Sequence, residues 1–254
     1  MKKIISVVLC VLLMCGCMVG CGAASDDDVA SNVSKTESKD SVDTALNGKS
    51  KYNIDVTAND NIDVKTSLSY DGYELIVCLK NNNSYDIGSI DIIATYYDKN
   101  GNKLGEDDSM ALNFKSGSEF ATSLFLPYNN DYECIIPDKI ELTIAVDEEY
   151  QEQALLPHMY DDKIEVSHNK EDEKILVTVT NNSGVNIDTF ECAILFIKND
   201  EAIAIDSFYG SLEVNKSDSL EVDIPIDWEK SEYEDVLIEY DSIKIVINEA
   251  SQYE

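Results

Sequence analysis

The chain repeats one pattern of alternating apolar residues at an offset of about 100 positions. The run VCLKNN at 77–82 lines up with VTVTNN at 177–182, and DKIELTIAV at 138–146 resembles DSIKIVIN at 241–248. The other matching positions are Ile62 to Val64 with Ile164 to Val166, Leu75 with Ile175, Leu79 with Val179, Leu112 with Leu212, Phe114 with Val214, Phe120 with Leu220, Thr122 with Val222, and Leu124 with Ile224. Such self-similarity indicates a duplication and predicts two folded units of about 90 residues each.

Within each unit the apolar residues alternate with polar ones at a period of two. Leu75, Val77 and Leu79 show this alternation, and Gly- and Asn-rich turn signals such as YDG at 70–72 and NNSG at 181–184 separate the runs. Short alternating runs with such turns are typical of antiparallel sandwiches. The sequence therefore predicts an all-β protein of two tandem immunoglobulin-like β-sandwich domains. One helical spacing, at 233–240, predicts a short helix or a loop insert.

The amino terminus has the layout of a secretory signal. Met1-Lys2-Lys3 precedes an apolar run at 4–14, which is too short to span the roughly 30 Å of a bilayer's hydrocarbon core. The following Met18-Val19-Gly20-Cys21 resembles the lipobox of bacterial lipoproteins. The resemblance implies diacylglycerol on the Cys21 thiol, cleavage between Gly20 and Cys21, and a second acyl chain, such as palmitate, for firm anchoring. Cys17 is the weaker competitor, and plain secretion is the remaining alternative.

These features give a domain plan for the whole chain. We expect a signal peptide at 1–20, then a lipidated cysteine and a disordered tether at 21–52, because that segment is rich in Ser, Asp and Lys and poor in large apolar residues. The first sandwich is expected at 53–148, a connection at 149–160 and the second sandwich at 161–254. The expected location is extracytoplasmic, with the bilayer as partner through acylated Cys21.

The charge of the chain excludes one class of partner. Asp and Glu number 50 against 19 basic residues, all of them lysine, for a formal net charge of −31. Such a surface repels nucleic acid. It also lacks the guanidinium groups of arginine, which bind phosphate through bidentate hydrogen bonds. We therefore expect no nucleic-acid binding. Acidity of this kind serves solubility more often than ligand binding.

The stretch ATYYDKNGNKLG at 94–105 resembles the FxLYD-type domain of bacterial surface lipoproteins. The motif falls on Ala94, Tyr96, Tyr97 and Asp98, so that the leading Phe is missing. The second copy has Ile194, Phe196, Ile197 and Lys198 at these positions. The resemblance implies an immunoglobulin-like sandwich at a cell surface and brings no catalytic residues.

The stretch DKNGNKLGEDDS at 98–109 has some features of a calcium-binding loop. Oxygen-bearing side chains stand at loop positions one, three and five, as in calcium-binding loops. However, Lys103 stands where glycine is wanted and Ser109 where a bidentate glutamate is wanted. A hairpin turn around Asn100-Gly101 explains the same residues, so we expect a hairpin and no metal site.

The cysteines and histidines give no catalytic centre. Cys78 and Cys134 are spaced as in an immunoglobulin disulfide, but the alternation points Cys78 away from the core, and we expect free thiols at Cys78, Cys134 and Cys192. His158 and His168 lie near no Ser or Cys in an activating context, and no hydrolase or phosphate-binding motif occurs in the chain. We expect no enzyme and no cofactor.

The sequence thus predicts a membrane-anchored lipoprotein with a non-catalytic binding or structural role at the bacterial cell surface. A protein or cell-wall ligand is expected and its identity is open. The alternative is an accessory enzyme or a cation-binding, for example calcium-binding, component of the cell envelope.

The anchor is directly testable. Cys21→Ala removes the thiol that would carry the diacylglycerol, so the variant should incorporate no labelled palmitate and should be shed or held by an uncleaved signal. Metabolic labelling followed by immunoprecipitation measures this, with Cys17→Ala as the matched control that keeps its label. Label in the Cys21 variant and none in the Cys17 variant would move the anchor to Cys17.

Overall fold

The computed structural model describes residues 53–58, 61–146, 158–228, 230–231 and 235–253. Almost all of its regular structure is β-strand. The strands are β1 (Asn53–Ala58), β2 (Ile62–Leu68), β3 (Glu74–Asn81), β4 (Ile87–Tyr97), β5 (Lys103–Phe114), β6 (Glu119–Phe125), β7 (Lys139–Val146), β8 (His158–Met159), β9 (Ile164–Glu171), β10 (Lys174–Asn181), β11 (Ile187–Lys198), β12 (Glu201–Leu212), β13 (Ser217–Asp223) and β14 (Ser242–Gln252). One turn of 3-10 helix, Asp161–Lys163, precedes β9. No helix in the described ranges is long and apolar enough to cross a membrane.

The strands form two sandwiches with the same sheet order. In the first sandwich, the sheet β1-β7-β4-β5 faces the sheet β2-β3-β6. In the second, β8-β14-β11-β12 faces β9-β10-β13. The pairing is antiparallel except between β1 and β7, which run parallel. The all-β, immunoglobulin-like fold expected from the alternation is confirmed, and the repeated sheet order agrees with a duplication.

The alternation correctly predicts which side chains form each core. Leu75, Val77 and Leu79 of β3 are buried between the two sheets of the first sandwich, and the equivalent residues of β10 are buried in the second. Successive side chains of a strand point to opposite faces, so that a period of two places one set inside. The rest of the first core comes mainly from β4 and β7, and the rest of the second mainly from β11.

The offset of 100 does not hold through the whole repeat. It is correct for β3 and β10, but Phe114 is equivalent to Leu212, because each pairs with the isoleucine that begins the strand before it. Leu124 is likewise equivalent to Val222, since Leu124 pairs across the sheet with Leu75, and Val222 pairs with Ile175. The matches that assumed an offset of 100 in β5 and β6 are therefore wrong by two residues. A shorter hairpin and an additional register shift in the second copy account for the difference.

A buried asparagine ends β3 and its counterpart ends β10. The Asn81 amide donates to the carbonyls of Tyr85, at 3.2 Å, and Phe114, at 2.9 Å, and its Oδ1 accepts from the Asn83 backbone. Asn181 repeats the arrangement in the second sandwich, with Val185 and Leu212 as acceptors. A buried amide must have its hydrogen bonds made, and here the bonds hold the β3–β4 and β10–β11 loops to the sandwich.

A third apolar cluster lies between the sandwiches. It joins the outer face of the sheet β2-β3-β6 to the outer face of the sheet that contains β11, β12 and β14. Its buried members are Ile76, Ala121, Ala193, Leu195, Ala202 and Val246. These residues have the opposite alternation to the two cores, so β3 and β11 are buried on both faces. We call this contact the junction.

Hydrogen bonds reinforce the junction at a strand edge. The side-chain amide of Asn248 accepts from the Ala121 backbone N–H at 3.0 Å and donates to the Ala121 carbonyl at 2.9 Å. Both free backbone groups of this residue on the edge strand β6 are thereby satisfied. The Ser67 hydroxyl also donates to the Ala202 carbonyl at 2.5 Å, and Lys244 pairs with Glu119 at 2.7 Å.

The junction gives Cys78 a different environment from the expected one. The alternation is correct, because Cys78 points away from the core of its own sandwich. Its thiol nevertheless packs against the junction cluster and is half-buried. Burial raises the pKa of the Cys78 thiol. In the second copy, Thr178 stands on a sheet face that no sandwich covers, and it bonds across to Ser219.

The junction can be tested with an equivalent pair of substitutions. Ile76→Asp places a charge between the sandwiches, whereas Leu176→Asp places one at the same point of the second copy on a partly exposed face. Burying an unpaired charge should cost several kcal/mol, so Ile76→Asp should lower the urea midpoint strongly and Leu176→Asp only slightly. Equal losses at the two positions would show that the sandwiches do not pack in this way.

Candidate functional site

The expected lipidation and signal-cleavage residues lie outside the described residues. Gly20 and Cys21 both fall in the segment before residue 53, as does the expected tether. Most of the expected connection, 149–157, also lies outside, as do the last two residues of the expected first sandwich, 147–148. Residues 158–159 form β8 at the edge of the second sandwich. The lipid anchor and the domain boundaries therefore stay predictions.

The stretch at 98–109 forms the hairpin loop between β4 and β5 and the first residues of β5. The Asp98 carboxylate accepts from the backbone N–H groups of Asn100 and Asn102, both at 2.8 Å, and from the Asn102 side-chain amide at 2.9 Å. These bonds, the Asn102 side chain first, lower the pKa of Asp98. Gly101 has a φ of 80°, which glycine adopts without strain. The side-chain oxygens at 98–102 thus hold the turn together, and no group of metal-binding side chains occurs in the described part of the chain.

The other residues singled out in the sequence belong to the FxLYD-like motif or are histidines and cysteines. Those that the structure describes lie in ordinary structural surroundings. Ala94 and Tyr96 point into the first core, and Tyr97 donates its hydroxyl proton to Glu141 at 2.9 Å. His168 is exposed on β9. Cys78, Cys134 and Cys192 are the free thiols among the described residues, as expected. The structure brings none of these residues together into a catalytic arrangement.

The best candidate site is a cup at one end of the first sandwich, built by two loops. The first is the β2–β3 turn, residues 69–73. The Ser69 hydroxyl accepts from the Glu74 N–H at 3.0 Å and donates to the Asp71 carboxylate at 2.6 Å. Gly72, at a φ of 73°, donates its N–H to the Ser69 carbonyl. This network gives the turn one defined shape.

The second loop follows β6 and returns on itself before β7. The Asn129 side chain accepts from the N–H groups of Asp131, at 2.8 Å, and Glu133, at 2.9 Å. Tyr128 and Cys134 form an isolated antiparallel bridge across this loop. The two loops meet where the Cys134 thiol approaches the Gly72 carbonyl at 3.7 Å.

The cup is lined mainly by aromatic and acidic side chains. Its volume is ≈ 530 Å³, and the lining residues are Asp71, Gly72, Tyr73, Tyr128, Tyr132, Glu133, Cys134 and Ile136. Tyr73 and Tyr128 are 46% exposed, and Tyr132 is 89% exposed. We refer to these lining residues as the tyrosine cup. Clustered tyrosines presented to solvent on an ordered frame are typical of binding surfaces, because a tyrosine offers a large contact area at low entropic cost.

The backbone of Tyr132 is held in a strained conformation. Its φ of 63° lies in the left-handed region, which a bulky residue seldom adopts. Its N–H donates to the Asn129 carbonyl at 3.1 Å, so the loop fixes this backbone while the ring extends into solvent. Strain of this kind with no packing in return is common at functional sites.

The electrostatic potential in the cup is negative. Burial and then the charge of Asp71 raise the pKa of the Cys134 thiol. Burial raises the pKa of Tyr128 as well, and Cys134, Asp71 and Glu74 add to the effect. Among the described residues, no lysine forms an ion pair with Asp71 or Glu133, whose carboxylates line the cup. The negative charge of the cup is therefore not compensated within the described part of the protein.

The equivalent end of the second sandwich is different. Glu173 stands in the place of Tyr73, and Ile226 in the place of Tyr128, as the matching backbone bonds and bridges show. Tyr70 of the first sandwich reaches over and donates its hydroxyl proton to the Ile226 carbonyl at 2.9 Å. Trp228 is exposed beside it. The described residues of the region with helical spacing, 233–240, form a loop insert and no helix.

The sequence carried a signal for the cup that motif searching does not detect. The stretch LPYNNDYEC at 126–134 places two tyrosines among turn-forming residues, where no core position requires them. Tyr73 follows another turn. Nothing in the sequence shows that these two loops meet, since that depends on how the sandwich closes.

Comparisons with known proteins add little to this description. No protein-family model matches the chain, and no curated protein matches it. Among solved structures, a transglutaminase from red sea bream is similar at 11% identity and a TM-score of 0.23, over 75% of this chain and 29% of that chain. The chain thus spans less than a third of that protein, and a likeness this distant carries no argument about function.

The strain at Tyr132 leads to a prediction about stability. Tyr132→Asn places a residue that tolerates the left-handed region at a φ of 63°, so the free energy of unfolding should rise by about 0.5–1 kcal/mol. Urea denaturation measures this change. Tyr85→Asn is the matched control, because Tyr85 is an exposed tyrosine with no positive φ. A Tyr132 variant less stable than the wild type would show that the ring is needed for packing.

Proposed function

We propose that this chain is a membrane-anchored extracytoplasmic lipoprotein that binds a partner at the bacterial cell surface through the tyrosine cup, without catalysis. The observation that carries the proposal is the cup itself. Three tyrosines of the first sandwich stand in solvent on two hydrogen-bonded loops, and one of them is held in a strained conformation.

The lipobox-like Met18-Val19-Gly20-Cys21 supports the cell-surface setting. A flexible tether of about 30 residues after Cys21 would have a root-mean-square reach on the order of 30 Å. This length would hold the sandwiches clear of the head groups. The high negative charge agrees with such a setting, because it repels the chain from anionic lipid.

The non-catalytic part of the proposal rests on the residues available. The sequence holds no hydrolase, metalloprotease or phosphate-binding motif, and no histidine is among the described residues that line the cup. Cys134 lines the cup, but burial and Asp71 raise its pKa, which is the opposite of what a nucleophilic thiol needs. Binding is thus the activity that the cup residues support best.

Site-specific photocrosslinking on intact cells tests this proposal. A photoreactive phenylalanine at position 132 should form a defined adduct with a cell-surface component, whereas the same residue at position 85 should not. Both positions carry exposed tyrosines, but Tyr85 lies in the β3–β4 loop at the opposite end of β3. The Cys21→Ala background should lose the adduct if anchoring places the cup at the surface. The same adducts from both positions, or none from position 132, would contradict a binding role for the cup.

A further inference from the structure

The two ends of the molecule that carry exposed aromatic residues differ in how their acids are paired. In the second sandwich, Asp227 pairs with Lys230 at 2.8 Å, and Asp223 lies 3.9 Å from Lys174. In the tyrosine cup, Asp71 and Glu133 have no such lysine among the described residues, and no lysine lines the cavity. The second sandwich therefore pairs two acids at this end with lysines, whereas neither acid of the tyrosine cup has a lysine partner among the described residues.

Both acids are held in place by neutral donors. The Asp71 carboxylate accepts from the Ser69 hydroxyl at 2.6 Å and from the Tyr73 N–H at 3.1 Å. The Glu133 carboxylate accepts from the Asn129 side-chain amide at 2.9 Å. These bonds fix the positions of the two negative charges without neutralising them. A preorganised charge binds an opposite charge with a smaller entropic cost than a mobile one does.

The tyrosines add a second element that favours cations. The face of an aromatic ring carries a negative electrostatic potential, and an ammonium or guanidinium group binds against it. Aromatic residues combined with carboxylates form the usual binding sites for such cations in proteins. Tyr73, Tyr128 and Tyr132 line the same cavity as the two acids.

We infer that the tyrosine cup binds a basic segment of a partner protein, with a lysine or arginine side chain between the tyrosine rings and the carboxylates of Asp71 and Glu133. This inference rests on the proposed binding function and names its ligand chemistry. The net charge of −31 would also speed the approach of a basic partner. At physiological ionic strength, charges more than roughly 8 Å apart are screened, so contacts in the cup itself decide the affinity.

Fluorescence titration with a lysine-rich peptide tests the inference on the chain from residue 21 onward, at physiological salt. The probe is a labelled peptide of alternating lysine and alanine, and the comparison is the same peptide with every lysine acetylated. The lysine peptide should bind and the acetylated peptide should not. Asp71→Asn with Glu133→Gln should weaken binding about tenfold or more, and both replacements keep an acceptor oxygen for the bonds that shape the loops.

Matched variants separate a local site from general charge attraction. Glu171→Gln with Glu201→Gln removes the same charge from exposed positions of the second sandwich and should leave binding unchanged. Tyr132→Asn should weaken binding, and Tyr85→Asn should not. A loss of equal size in the two acid pairs, or no binding of the lysine peptide to the wild type, would overturn the inference.

An uncharged oligosaccharide probe distinguishes the failure of the inference from the failure of the proposed function. Binding of such a sugar that depends on Tyr132, with no binding of the lysine peptide, would overturn the cationic ligand and keep the cup as a binding surface. Adducts missing from position 132 on cells, together with no binding of either probe, would reject both.

Discussion

An apolar patch of Ile76, Cys78 and Ala121 lies on the outer face of the sheet β2-β3-β6, and the second sandwich covers it. The packing of the two sandwiches against each other depends on this contact. Ile76 and Leu195 are 1% exposed although each points away from the core of its own sandwich. Burial of apolar surface provides the main stabilisation of such a contact, and the Asn248 amide satisfies the edge groups that would otherwise be unpaired. The two sandwiches therefore form one compact unit.

A loop contact adds to the junction at the end of the molecule where the two copies differ. Tyr70 leaves the β2–β3 turn toward the second sandwich, and its hydroxyl bonds to the Ile226 carbonyl. Burial, with Asp71 next, raises the pKa of Tyr70 to about 12, so its hydroxyl stays protonated and able to donate even at alkaline pH. Tyr73, three residues on, faces the cup instead. One short turn thus holds the second sandwich on one side and forms part of the proposed binding surface on the other.

Sequence reasoning predicted the fold and the cores from the alternation alone, because a half-buried strand imposes a period of two. It did not predict the junction, although LIVCL at 75–79 and AILFI at 193–197 are unbroken apolar runs. Such runs indicate strands buried on both faces. The offset of 100 was wrong in β5 and β6, because hairpin length and register shifts depend on local backbone geometry. The tyrosine cup could not be predicted, since its two loops are more than 50 residues apart in the chain.

Amide hydrogen exchange at Ala121 tests the central claim, that the two sandwiches are held as one unit through the junction. Ala121 lies on the edge strand β6, and its N–H points away from β3 to the Asn248 side chain. We expect slow exchange at Ala121, comparable to that of core amides, and a large, local loss of protection in Asn248→Ala. Ser123, two residues along the same edge, is the internal comparison. Fast exchange at Ala121 in the wild type, as in a free edge strand, would show that the junction does not hold the two sandwiches together.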